Sequence, residues 1–179
     1  DRYIMGTVFV DNLEPQSGTS LSLGASGDTI ALTSGALQSN FMYPAFHVTR
    51  SSNQSIGNSS NTKIQWNNEI VDTNSAFDSS TNYRFTPQVA GKYFIAMHVR
   101  LNSSTDAEQC FINIKKNTSD ILQSYYKNAY YNGHYGAVFV DLNGSSDYIE
   151  FYIHHNIGTS VDLDSNDQNC YAYGFRIGT

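Results

Sequence analysis

Residues 77–101, FDSSTNYRFTPQVAGKYFIAMHVRL, constrain the fold more than any other stretch of this chain. A polar turn leads into a short strand, a Pro-Gly corner and then a long alternating strand. From Tyr93 onward, Tyr93, Ile95, Met97 and Val99 share one face, and Phe94, Ala96 and His98 share the other. Side chains along a strand alternate with a period of two. Apolar groups on both sides therefore predict a central strand, with the core on one face and a second partner on the other. The stretch predicts a β-sandwich that assembles into an oligomer.

Strand signals dominate the remainder, and no amphipathic helix of three turns is found. Strands are expected at 3–10, 45–50, 62–66, 69–71, 83–86, 92–101, 110–116, 121–126, 134–142, 147–154 and 171–177. Clusters such as SSNQSIGNSSN, NSST, NGSSD and DSNDQN separate them, rich in residues that tolerate tight turns. Many short strands at regular spacing without helices indicate a sandwich or jelly roll. At 179 residues the chain is one ordinary domain with a modest extension.

Charge narrows the partners. The formal charge is -6, with only ten Lys and Arg residues, which argues against nucleic acid, whose phosphates demand a basic stripe. No apolar run approaches the roughly 20 residues of a membrane span, so no membrane insertion is expected. No signal-peptide pattern opens the chain, and it begins at Asp1 rather than Met, as a fragment or processed product would. The polar surface, rich in Asn, Ser, Thr, Gly and Tyr, suits extracellular β proteins and virion fibres.

Residues 1–43 read as a separate β-rich arm. SLSLGAS (20–26) recurs nine positions later as TIALTSG (29–35), aligning Leu21 with Ile30 and Leu23 with Leu32. One such strand cannot bury its apolar side chains, whereas three copies around an axis can, as in a fibre shaft. An ordinary irregular arm with one hairpin is the alternative.

Catalytic signatures are absent: no Gly-x-Ser-x-Gly elbow, no His-Glu-x-x-His, no phosphate loop and no dinucleotide fingerprint. His154 and His155 are adjacent, so a regular strand points them to opposite faces and they cannot share a metal. SYYKNAYYNGHYG (124–136) gathers tyrosines that offer flat apolar area with a hydroxyl handle. Tyr126, Asn128, Tyr130, Tyr131, Asn132 and His134 are the candidate ligand-binding residues, suited to a sugar ring or receptor protein. The alternative places half of the tyrosines in the core or a subunit seam. Asp162, Asp164 and Asn166 alternate and are followed by Asp167, a spacing that begins like a calcium loop. Asp167 stands where the sharp-turn Gly belongs and Tyr173 where the bidentate Glu belongs, so this is no EF-hand. A looser calcium site and a solvated acidic loop both fit. No other cofactor is expected. Trp66 is expected to be structural. Cys110 and Cys170 are too few for a disulfide scaffold and too far apart for a zinc motif, and read first as buried small hydrophobes.

From Pro44 onward the chain resembles the C1q-like domain, the jelly-roll head related to tumour necrosis factor. PAFHVTR (44–50) resembles that family's first strand, and TKIQW (62–66) with NNEIV its second element. AFD (76–78) sits where the family has Tyr-Asp. YRFTPQVAGKYFI follows the hallmark Phe-Thr-x-x-Val-x-Gly-x-Tyr-x-Phe pattern almost fully. FINIKKN (111–117), GAVFVDLNGSSDYIEFYI and YGFRI (173–177) take the places of later strands in order. The family's Leu-x-x-Gly-Asp turn is stretched by Ser145 and Ser146, which should loosen it, and no Gly-x-y collagen stalk precedes the head. The segment in the stalk's place is similar to linkers before the heads of phage tail fibres.

The resemblance implies an all-β, ten-stranded jelly roll (44–179) that forms a homotrimer. It places the strand at 93–101 near the threefold axis, with Tyr93, Ile95, Met97, Val99, Tyr173 and Phe175 as the expected seam. It also brings Cys110 and Cys170 near one strand end. A disulfide there would close a loop of roughly 60 residues and contribute about 4 kcal/mol. Some C1q-like trimers bind calcium at the loop apex. The leading expectation is a non-enzymatic trimeric head of a phage fibre or virion appendage that binds a host receptor or carbohydrate. A secreted C1q-like recognition or adhesion module and a purely structural virion decoration are the alternatives.

Overall fold

The computed structural model describes residues 13–18, 21, 23–29, 42–127 and 133–178. The chain divides into two units, Asp1–Gln38 and Ser39–Thr179. In the first, Leu21 and Leu23 are exposed, and Asp28 closes a turn by accepting the Ala25 N–H at 2.6 Å. The strand expected at 3–10 and most of the second repeat unit lie outside the described residues.

In the second unit the strands are β1 (Ala45–Thr49), β2 (Gln54–Ile56), β3 (Thr62–Lys63), β4 (Asn68–Asp72), β5 (Phe77–Asp78) and β6 (Arg84–Phe85). They continue as β7 (Gly91–Arg100), β8 (Cys110–Lys116), β9 (Ser119–Tyr126), β10 (Gly133–Leu142), β11 (Ile149–His155), β12 (Val161–Leu163) and β13 (Tyr171–Gly178). Among the described residues there is no helix. One sheet runs β10-β7-β13-β1-β4 and the other β5-β6-β11-β8-β9, with β3 also pairing β11. A small ribbon joins β12 to β2. All pairings are antiparallel, in the sandwich arrangement of a jelly roll.

The two large sheets close over one core. Ile95, Met97 and Val99 of β7 meet Ile112, Ile114, Phe151 and Ile153 of β8 and β11 across the sandwich. Phe46 packs its ring 4.5 Å from Phe85, and Phe85 meets Tyr93 edge-on at 5.7 Å. Trp66 is fully buried and meets Phe151 at 6.3 Å, the structural place expected for it. Burial of this apolar area is the main force holding the sheets together.

The parity of β7 corrects the expected seam. Tyr93, Ile95, Met97 and Val99 are all 0% exposed in the single chain, so they belong to the sandwich interior and have no surface left for a neighbour. The physical reason lies in the partner strands. Gly174 and Ala172 of β13, opposite Ile95 and Met97, face inward beside Phe46 and Val48 of β1. The outward face carries Phe94, Ala96 and His98.

The turn between β10 and β11 is also tighter than expected. Asn143 Oδ1 accepts the N–H groups of Ser145, Ser146 and Asp147, each at 3.0 Å. Asp147 in turn accepts the Asn143 N–H at 3.0 Å and pairs with Lys116 at 2.9 Å. The two additional serines are thus absorbed in a cradle of side-chain-to-backbone bonds. Gly144 has φ +70°, and a Cβ there would lie 2.2 Å from Ala90 N, so only glycine fits.

Candidate functional site

The outward face of the five-stranded sheet is aromatic. Strand alternation turns Phe94, Ala96 and His98 of β7 away from the core, and register sets a partner on each side. Phe94 lies opposite Phe139 of β10 and Phe175 of β13; Ala96 lies opposite Ala137 and Tyr173; His98 lies opposite Tyr135 and Tyr171. Phe94 stands 5.3 Å from Phe139, 5.6 Å from Phe175 and 6.1 Å from Tyr173. His98 stacks on Tyr171 at 5.4 Å and 20°, with its Nδ1 held 2.8 Å from the Asn169 carbonyl. Gly133 makes room for it, since a Cβ there would fall 2.2 Å from His98 Nε2.

This face is open. Phe139 is 68% exposed and Tyr135 45%. Beside them, β13, β1 and β4 shape a concavity of about 500 Å3 walled by Ala45, His47, Val71, Tyr173 and Phe175, with Asp167 at its lining. The charges stand at the rims: Lys92 pairs with Asp141 at 2.7 Å at one end, and Arg100 pairs with Asp164 at the other. The Tyr135 and Tyr173 hydroxyls lie 3.5 Å apart, and that hydrogen bond pushes the Tyr135 phenol up to about 12, so it stays neutral. An aromatic centre with a polar rim is the anatomy of a protein–protein interface. Nothing on it forms a nucleophile–base pair.

Tyr173 and Phe175, expected at a seam from the sequence, lie on this face. Tyr135, Phe139 and Tyr171 join Phe94 and His98, which the alternation of β7 already places on the face for a second partner. The signal that finds them is the second apolar face of β7, followed outward along the register.

The other candidates separate. Tyr126 is half-buried, its ring 4.3 Å from His134 and its hydroxyl donating to the Tyr135 carbonyl, so it ties β9 at the edge of one sheet to β10 at the edge of the other. His134 is 0% exposed and faces Cys110 Sγ at 3.6 Å, so it cannot meet a ligand as expected. It pairs with Val99 and shares the inward parity of β10. Asn128, Tyr130, Tyr131 and Asn132 lie outside the described residues.

Burial pushes the His134 imidazole down to about 4, with nearby His98 adding to the effect. Unfolded, the same group takes up its proton near pH 6.5. Between these values the unfolded chain binds more protons, so stability falls as pH drops through that window. Urea unfolding at pH 7 and pH 4 should show wild type losing roughly 2–3 kcal/mol more than His134→Leu.

The acidic loop engages its buried carboxylate within the chain. Asp164 is committed to Arg100 and also accepts the Asn166 N–H at 3.1 Å and the Asn169 amide at 3.2 Å. Burial pushes its carboxyl up, but these three partners together hold it below the usual carboxylate range. Asp162, Asn166 and Asp167 are exposed. Among the described residues, no three His, Cys, Asp or Glu side chains converge as an ion would require. Asp164 instead ties the loop to the end of β7.

Cys110 and Cys170 are free, buried thiols, which corrects the disulfide. Cys110 opens β8 in one sheet, whereas Cys170 precedes β13 in the other, where its sulfur accepts the Arg100 N–H at 3.3 Å. Burial pushes the two thiols up to about 12 and about 11, leaving them as inert core groups. His154 and His155 point to opposite faces: the first stacks on Phe111, and the second, buried, meets the Ile56 carbonyl.

Residues 45–169 match the C1q domain. The chain belongs to the C1q domain family. The family, with the related tumour necrosis factor class, consists of trimeric recognition modules that are typically non-enzymatic and commonly extracellular or secreted. Solved structures agree on the fold. Murine APRIL superposes with a TM-score of 0.59 at 13% identity, over 74% of this chain and 98% of that one. The globular domain of zebrafish complement 1qA gives 0.53 at 18% identity, over 75% and 97%. The phage PRD1 vertex protein P5 gives 0.55 at 15% identity, over 75% and 96%. At these identities the likeness speaks for the jelly roll alone. No curated protein matches the sequence.

Proposed function

We propose that this C1q domain is the non-enzymatic head of a phage fibre or related virion appendage, a homotrimer that attaches to a host-surface receptor or carbohydrate. The observation that carries the reading is the aromatic face of the five-stranded sheet. Phe94, Phe139, Tyr173 and Phe175 form an apolar centre left open in one chain and framed by ion pairs, a surface that a second copy would cover. A face that meets a different part of its neighbour closes into a ring where the rotation between copies allows, and three copies make the smallest ring with such contacts. The arm at 1–43 supplies a shaft-like lead, and its exposed Leu21 and Leu23 suit a threefold bundle. Threefold repetition multiplies weak single contacts into firm attachment.

Sedimentation equilibrium of the purified protein should give three times the chain mass, and the fluorescently tagged protein should label cells of its host. A monomer that labels no cells would sink the reading. A secreted recognition module of the same family is the second reading, favoured by the zebrafish complement domain among the structural neighbours. Labelling of animal glycoproteins in place of bacterial surfaces would turn the assignment to it. A decoration protein would trimerise and label neither.

A further inference from the structure

The five-stranded sheet has a polar cleft at one end, where the chain enters β1. Register sets the start of β1 and the start of β7 on either side of the end of β13. The end of β4 closes the group, with Asp72 opposite Phe46. Tyr43, Thr73, Asn74, Val89 and Arg176 line a cleft there of about 430 Å3. None of the five belongs to the aromatic face.

The walls are fixed by bonds within the chain. The Tyr93 hydroxyl donates to the Val89 carbonyl at 2.6 Å, and the Ala45 N–H donates to Thr73 Oγ1 at 2.7 Å. Asp72 accepts the N–H groups of Ala76 and Phe77 at 2.9 and 3.2 Å, so its carboxylate is committed to the turn after β4. That turn carries Asn74 at φ +67° and Ser75 at φ +48°. Two consecutive non-glycine residues in the left-handed region are uncommon, and such strain concentrates at binding sites. The Asn74 side chain is exposed and has no hydrogen-bond partner among the described residues.

Arg176 supplies the charge. Its Nε donates to the Ala90 carbonyl at 3.2 Å, which orients the guanidinium. Gly91 permits the approach, since a Cβ there would lie 2.7 Å from that nitrogen. Among the described residues no carboxylate pairs with Arg176, and its two terminal nitrogens have no partner. A guanidinium anchored through Nε still presents those two nitrogens side by side, a fork that grips a carboxylate through parallel bonds.

We propose that this cleft binds a small sugar acid, with Arg176 holding its carboxylate. One guanidinium balances one negative charge, which suits a carboxylate and not a phosphate dianion. The Asn74 amide and the Tyr43 hydroxyl each donate and accept, as partners for sugar hydroxyls must. The exposed Tyr43 ring and Val89 side chain offer apolar surface to the C–H groups. The volume falls within the range of small-molecule sites. The site goes beyond the attachment reading, since it uses no residue of the aromatic face and is complete in one chain.

The test is saturation-transfer NMR on the whole chain with D-glucuronate and N-acetylneuraminate, beside the neutral methyl esters of both acids. Inorganic phosphate and sulfate serve as competitors. The expected result is transfer to at least one acid, with its ester and the Arg176→Gln variant each weaker by at least about tenfold. Arg176→Lys, which keeps the charge and loses the fork, should fall between, and Asn74→Gly should weaken binding measurably. A thermal melt checks each variant; where Arg176→Gln melts early, Asn74→Gly decides, because glycine relieves the left-handed strain. No transfer to either acid, equal transfer to acids and esters, undiminished binding in Asn74→Gly, or displacement by phosphate at lower concentration than by the acids overturns the site. Sedimentation mass and cell labelling do not depend on it, so its failure leaves the attachment reading standing.

Discussion

Phe139→Asp should give a folded monomer. In the single chain the Phe139 ring is 68% exposed, so its loss changes the stability of one head by about 0.5 kcal/mol. In the proposed trimer the same ring sits at the centre of a covered aromatic face, beside Phe94 at 5.3 Å. Central aromatic anchors contribute at least about 2 kcal/mol each, roughly 30-fold in affinity per seam. Asp would add the cost of a carboxylate taken out of water without a partner. The change recurs at all three seams, so the ring opens at micromolar concentrations. Sedimentation equilibrium reads the mass, and a thermal melt confirms that the head still folds. Because avidity depends on three linked heads, cell labelling should fall with the mass. An intact trimer in this variant would remove the aromatic face from the seam.

The second large effect lies one residue position from that face, on β7. Ile95→Ala leaves a cavity between the sheets and should lower stability by about 2–5 kcal/mol, with no direct effect on the seam. Phe94→Ala, its neighbour in sequence, should do the reverse, weakening assembly while costing one chain less than about 1.5 kcal/mol. Urea midpoints measured at a concentration where wild type is dissociated separate the two. Equal midpoint losses in both variants would contradict the inward parity of Ile95. The comparison is sharp because the two residues share a strand, a hydrogen-bond ladder and nearly equal apolar character. They differ only in the face they occupy.

How much of this was legible beforehand varies by element. The long strands were: β8 falls on residues 110–116 as the alternation of FINIKK requires, and β1, β7, β10, β11 and β13 lie within two residues of their expected ends. Strands β2, β5 and β12 were not, because two or three residues are too few to display a period. The turn at Asn143 looked loose by length, yet one carboxamide oxygen gathers three N–H groups, a device that residue counting does not reveal. His134 sits in a tyrosine-rich, polar stretch that reads as surface. Its burial follows from the register that sets it opposite Val99 and above Cys110.

The strand at 93–101 carries the same division. Its sequence alone determined a central β-strand with apolar groups on both sides, and hence a sandwich with a second partner to find. A period of two is symmetric, however, and does not say which side is the core. That choice was made by residues distant in the chain: Gly174, Ala172, Phe46 and Val48 close the inward side, while Phe139, Tyr173 and Phe175 gather on the outward one. Packing is a property of the faces that neighbouring strands present together, so only the tertiary structure could assign Tyr93, Ile95, Met97 and Val99 to the core and free Phe94 and His98 for a partner.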